Sequence, residues 1–67
     1  MQINVTDLSS GQIIYIGDCE DFLYDYLNSD IEAEFQLNQF CCSQSESIII
    51  ATDEADYLIE KIVELIY

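Results

Sequence analysis

At the start of the chain polar and apolar residues alternate, Gln2, Ile3, Asn4, Val5, Thr6, the period of a strand with one buried face. Ser9-Ser10-Gly11 supplies turn chemistry before Gln12-Ile13-Ile14-Tyr15-Ile16, so residues 2–16 read as a β-hairpin. Gly17-Asp18 then punctuates the chain. Cys19, Phe22, Leu23, Tyr26 and Leu27 follow at the spacing of one helical face, with Asp18 as the N-cap and Glu20 and Asp21 suited to the positive end of the helix dipole. After Asn28-Ser29-Asp30 the period returns to two. Ile31, Ala33, Phe35 and Leu37 point one way and Glu32, Glu34, Gln36 and Asn38 the other, a third strand that Phe40-Cys41-Cys42 continues. The polar stretch Ser43 to Ser47 turns the chain into Ile48-Ile49-Ile50-Ala51, completing a second hairpin. Thr52 or Asp53 then caps a helix carrying Ala55, Leu58, Ile59, Ile62, Val63 and Ile66 on one face and running to near Tyr67.

The expected order is ββαββα. It predicts a single α+β domain over residues 1–67, a mainly antiparallel sheet with two helices packed on one face. A weak ββα repeat, 1–30 against 31–67, lays Ile13-Ile14 over Ile48-Ile49, Asp18 over Asp53, Asp21 over Asp56 and Leu23 over Leu58. Shared capping chemistry at helix starts explains this better than duplication, because the two apolar stripes are offset by one residue.

Composition changes the picture at one point, the charge. Fourteen acids stand against a single cationic side chain, Lys61, for a formal charge of -13 in 67 residues. Acidic chains of low hydrophobicity stay disordered, but this one is 51% hydrophobic with no proline and two glycines, and should fold. The longest apolar run, Ile13 to Ile16, is far short of the roughly 20 residues of a membrane helix. No basic leader precedes it, so no signal peptide is expected. Anionic lipid and nucleic acid would both repel the chain. Cys19, Cys41 and Cys42 are odd in number and the chain has no His, so neither a disulfide framework nor a zinc site is expected; a reducing cytoplasm is the simpler setting.

Catalytic chemistry finds little support. Paired carboxylates need a walled pocket to push their pKa values apart, and a cysteine nucleophile needs a base or cationic neighbour, where this chain has no His and no Arg or Lys beyond Lys61. The acids at Asp18-Cys19-Glu20-Asp21 and Asp53-Glu54-Ala55-Asp56 do not match a calcium loop. No enzyme activity, cofactor or metal is expected, and adjacent Cys41 and Cys42 read as core and rim packing.

The acids themselves are the candidate site. Glu20, Asp21 and Asp25 fall outside the apolar face of the first helix, Asp30 follows, and Glu32 and Glu34 would project from one strand face about 6.8 Å apart, a spacing like that of successive phosphates. Tyr24 and Tyr57 are expected on or beside outer helix faces as aromatic anchors. The partner-binding set is thus Glu20, Asp21, Tyr24, Asp25, Asp30, Glu32 and Glu34. In its small size, extreme acidity, near-absence of basic residues and lack of a catalytic constellation, the chain resembles the acidic nucleic-acid mimics of phages and mobile elements, anti-CRISPR proteins most of all. That resemblance implies an inhibitor in the bacterial cytoplasm, monomeric or weakly dimeric, bound to the basic DNA-binding surface of a Cas effector subunit. The alternatives are an anti-restriction or DNA-repair-enzyme inhibitor and an acidic adaptor for one basic protein.

Overall fold

The computed structural model describes residues 1–27 and 30–62. Its elements run β1 (Gln2–Asp7), β2 (Gln12–Asp18), α1 (Cys19–Tyr26), α2 (Ile31–Cys42), β3 (Ser47–Ala51) and β4 (Asp56–Lys61). The strands form one antiparallel sheet in the order β2-β1-β4-β3. Both helices contribute to a core with one face of that sheet: Ile3 and Val5 of β1, Tyr57 and Ile59 of β4 and Ile50 of β3 are buried with Phe22, Leu27, Ala33, Leu37 and Phe40. The α+β class and the helix-covered antiparallel sheet are those read from the sequence.

The first half follows its pattern closely. Gly11 takes a positive φ of 72°, open to glycine without steric cost, and its N–H donates to the Asp7 carbonyl at 2.7 Å to close the β1–β2 turn. Asp7 Oδ1 accepts from the Ser9 N–H and hydroxyl, a local turn of the kind short acidic side chains make. Between β1 and β2 the register shifts at Val5/Thr6, so Ile14 bulges and both Ile13 and Ile16 stay on the uncovered face. Cys19 and Phe22 of α1 and Leu27 at its C-terminal boundary are buried as their spacing predicts, and Leu23 is half-buried, but Tyr26, expected on the same face, is 45% exposed. Asp18 holds the N-cap position without a side-chain cap bond, because its Oδ1 instead accepts from the Met1 amino group at 3.1 Å.

In the second half two elements exchange type. Residues 31–42 form a helix where alternation predicted a strand: Ala33, Leu37 and Phe40 supply a buried stripe at i, i+4 and i+7, while Ile31 and Phe35, expected inside, are exposed. Glu, Ala, Gln and Leu favour helix intrinsically, and Asp30 caps it by accepting from the Ala33 N–H at 3.0 Å. Conversely, the expected final helix is β4, inserted between β1 and β3 so that its backbone groups find partners on both sides. Thr52 does make cap-like bonds, but they close a tight turn: its Oγ1 accepts from the Glu54 and Ala55 N–H groups and donates to the Ala55 carbonyl. The order is therefore ββααββ, and the two halves do not repeat one another. The part of the expected helix beyond Ile62, with Val63 and Ile66, lies outside the described residues.

The cysteines also depart from expectation. Once residues 31–42 are helical, Cys41 comes over the first residue of α1, and Cys19 and Cys41 are joined as a disulfide while Cys42 is free and exposed. Among the described residues no helix is long and apolar enough to cross a membrane.

Candidate functional site: an acidic pole flanked by tyrosines

Strand register puts both hairpin turns at one end of the sheet, since Asp7 pairs with Gln12 and Tyr57, and Asp56 with Ala51. Asp7, Asp53, Glu54 and Asp56 collect at that end. Asp30 and Glu32, at the start of α2, join them along a cleft of about 700 Å³ that is also lined by Asp53, Glu54, Tyr26 and Tyr57. No charged side chain among the described residues is buried, so these carboxylates meet solvent.

The cations lie at the opposite end and are occupied. The Met1 amino group pairs with Asp18 beside the start of α1. Lys61 donates to the Ser43 carbonyl at 2.7 Å, and its Nζ sits 4.6 Å from the centre of the Phe40 ring, a position that favours the cation. The turn end therefore carries carboxylates without a cation among the described residues, whereas the end that holds Met1 and Lys61 carries Asp18, Glu20, Glu46 and Glu60 beside them.

An aromatic row connects the pole to α1. Phe22 is fully buried, with the rings of Tyr26, Tyr15 and Tyr57 centred 4.8, 5.3 and 5.7 Å away. The Tyr15 hydroxyl donates to the Asp18 carbonyl at 2.8 Å, and its ring lies against Gly17, where a Cβ would stand 2.8 Å from the Tyr15 hydroxyl oxygen. Desolvation holds this phenol above its ordinary 10.0, and Asp21, Asp18 and Asp25 push the same way. Tyr57 is likewise raised, by burial first and then by Glu54, Asp7 and Tyr26. The tyrosines thus stand in the negative field of both acidic groups.

The expected contact set is divided by the fold. Glu20, Asp21, Tyr24 and Asp25 share one exposed face of α1, at positions i, i+1, i+4 and i+5. Asp30 and Glu32 belong to the pole. Glu34 is half-buried and separates from Glu32, because two residues on a helix point about 200° apart, so the phosphate-like pair expected on a strand does not form. Tyr57 faces the core instead of an outer helix face, while Tyr24 is 73% exposed. Asp53, Glu54, Asp7 and Tyr26 were missed as site residues. The T-D-E turn could have flagged Asp53 and Glu54, but only as a turn, since nothing local indicates that it meets the start of α2.

Among the described residues no group of three or more His, Cys, Asp or Glu side chains is placed to hold a metal ion. No family model matches the chain, and no curated protein or solved structure matches it either.

Proposed function

We propose that this chain is an acidic nucleic-acid mimic, an inhibitor that occupies a Lys- and Arg-lined cleft of a nucleic-acid-binding protein and excludes the target strand. A Cas effector subunit is the favoured partner, as for an anti-CRISPR protein; restriction and DNA-repair enzymes have clefts of the same chemistry. One observation carries the reading: the turn-end cleft and the exposed face of α1 present carboxylates with no cation beside them among the described residues, while Lys61 and the Met1 amino group are engaged elsewhere by Ser43 and Asp18. A surface that merely solvates a small domain mixes both signs. Tyr24 and Tyr26, exposed beside those carboxylates, offer ring faces on which an arginine can stack.

The mechanism is competitive. Long-range attraction speeds encounter, and close carboxylate–guanidinium pairs then replace the phosphate contacts of the displaced nucleic acid. The test is a titration of purified effector with the chain, in the presence and absence of target DNA, at low and high ionic strength. Affinity should fall steeply with salt, and DNA-loaded effector should refuse the chain. Salt-independent binding, or equal binding to DNA-loaded effector, would exclude mimicry.

A further inference from the structure

Helix α2 carries apolar residues on two faces. Ala33, Leu37 and Phe40 point into the core, while Ile31 and Phe35, one turn apart, are 83% and 60% exposed. A helix laid on a sheet needs one apolar stripe, and here the inner one already meets the core. At about 100° per residue Glu32 and Glu34 fall on opposite sides of the outer ridge, and neither α1 nor α2 contains a Lys, Arg or His. Ile31 also lines the acidic cleft beside Tyr26, so the ridge continues from the cleft along α2. The arrangement recurs on α1, where exposed Tyr24 shares its face with Glu20, Asp21 and Asp25. Both helices thus hold exposed apolar side chains among carboxylates.

We infer that the partner's cleft is one built for a single strand of nucleic acid and not for a duplex, which rests on the reading of this chain as a mimic and adds the class of groove. Its carboxylates take the places of phosphates, and Phe35, Ile31 and Tyr24 those of unstacked bases. A duplex keeps its base faces inside the stack, so a duplex-binding surface meets phosphates and the polar edges of the grooves. A purely acidic face would suit such a surface. An apolar ridge between two carboxylates would not, because it would cover Lys and Arg side chains without pairing them. Single-strand grooves hold both chemistries: cationic side chains track the backbone, and aromatic ones receive the base faces. Charge complementarity fixes the sign of the occupant, since acids on both sides of the ridge repel an acidic partner and a second copy at -13 alike.

The two kinds of contact separate with salt. Carboxylate pairs weaken as screening rises, whereas apolar contacts do not. A complex held by both loses affinity steeply at first and keeps a remainder at high ionic strength, and that remainder belongs to Ile31 and Phe35. Because both side chains are exposed, removing them leaves the core of the domain as it is.

The experiment takes the full chain bound to the effector it inhibits and adds either single-stranded oligothymidine or a blunt duplex with the same number of phosphates. The single strand should release the chain at a concentration roughly tenfold below that of the duplex, a readout that needs no variant to fold. Ile31→Ser with Phe35→Ser should weaken the complex about tenfold at low and at high ionic strength alike, with unchanged far-ultraviolet circular dichroism. Glu32→Gln should cost affinity at low ionic strength and lose that effect as salt rises. A duplex that competes as well as the single strand, or a serine pair that binds like the parent chain, would overturn this inference and leave the mimic reading standing. Release by neither nucleic acid would end both.

Discussion

Asp7 shows how much one side chain does in the β1–β2 turn. The Ser9 hydroxyl donates to Oδ1 at 2.7 Å and the Ser9 N–H at 2.9 Å, and these bonds hold the carboxyl below its ordinary 3.8. A depressed carboxyl contributes stability that is present above its unfolded pKa and is lost as pH falls through the folded value. Ser9→Ala removes the largest cause, so Asp7 should titrate nearer 3.8 and the acid limb of the stability curve should flatten; carbon-detected NMR of the Asp7 carboxyl reads the first directly. Tyr15 works at the other end of the scale. Its raised phenol keeps its proton in the fold where the unfolded chain would release it, so its contribution is intact below 10 and disappears as pH rises through the folded value. Tyr15→Phe should therefore lower the melting temperature slightly at neutral pH, through the lost bond to the Asp18 carbonyl, yet reduce the further loss above pH 10. An unchanged alkaline slope would mean that Tyr57 alone carries it. The turn at Ser9-Ser10-Gly11 was legible in the sequence but the part Asp7 plays in it was not, and the field around Tyr15 required the fold that brings α1 back over β2.

At the scale of elements, short segments satisfied two periods at once. Ile31, Ala33, Phe35 and Leu37 fit a strand, while Ala33, Leu37 and Phe40 fit a helix; Asp30 and the helix-favouring composition decide for the second. In the segment that became β4, Leu58, Ile59 and Ile62 fit a helical face, but Tyr57 and Ile59 are the residues buried, and the open position between β1 and β3 decides. Alternation and helical spacing are both local, and strand pairing is not. The first hairpin and α1 were legible because their turn residues, period and cap position agreed. Two outcomes check the reassignment. Asp30→Ala removes the bond to the Ala33 N–H and should cost about 1 kcal/mol with a loss of helical signal, read by urea titration; a β-strand at these residues would be indifferent. Alkylation of the native chain without reductant should modify one cysteine, Cys42, and with reductant all three. Equal modification of Cys41 and Cys42 before reduction would contradict the disulfide between the helices.

For the whole molecule, the excess of acid was plain in the sequence but its placement was not, because the pole draws Asp7, Asp30, Glu32, Asp53 and Glu54 from separate parts of the chain. The stretch from Glu20 to Glu34 contributes one face of α1 and the start of α2, and the rest of the pole comes from the two hairpin turns. Net charge alone would steer any variant with the same total equally well. Position is what separates a general field from a contact surface. Glu32→Lys with Glu54→Lys reverses two carboxylates lining the cleft, and Glu46→Lys with Glu60→Lys reverses two exposed ones toward the end that holds Met1 and Lys61; each pair shifts the net charge by the same amount. Close charge pairs at steered interfaces contribute on the order of 1.5 kcal/mol or more each. Reversal of the cleft pair should therefore weaken inhibition roughly a hundredfold, chiefly through faster dissociation, whereas the far pair should slow association only a few-fold. Inhibition constants and rate constants measured at one fixed ionic strength distinguish the two. Equal losses would reduce the acidic pole to a source of field, and a larger loss for the far pair would place the contact at the opposite end of the sheet.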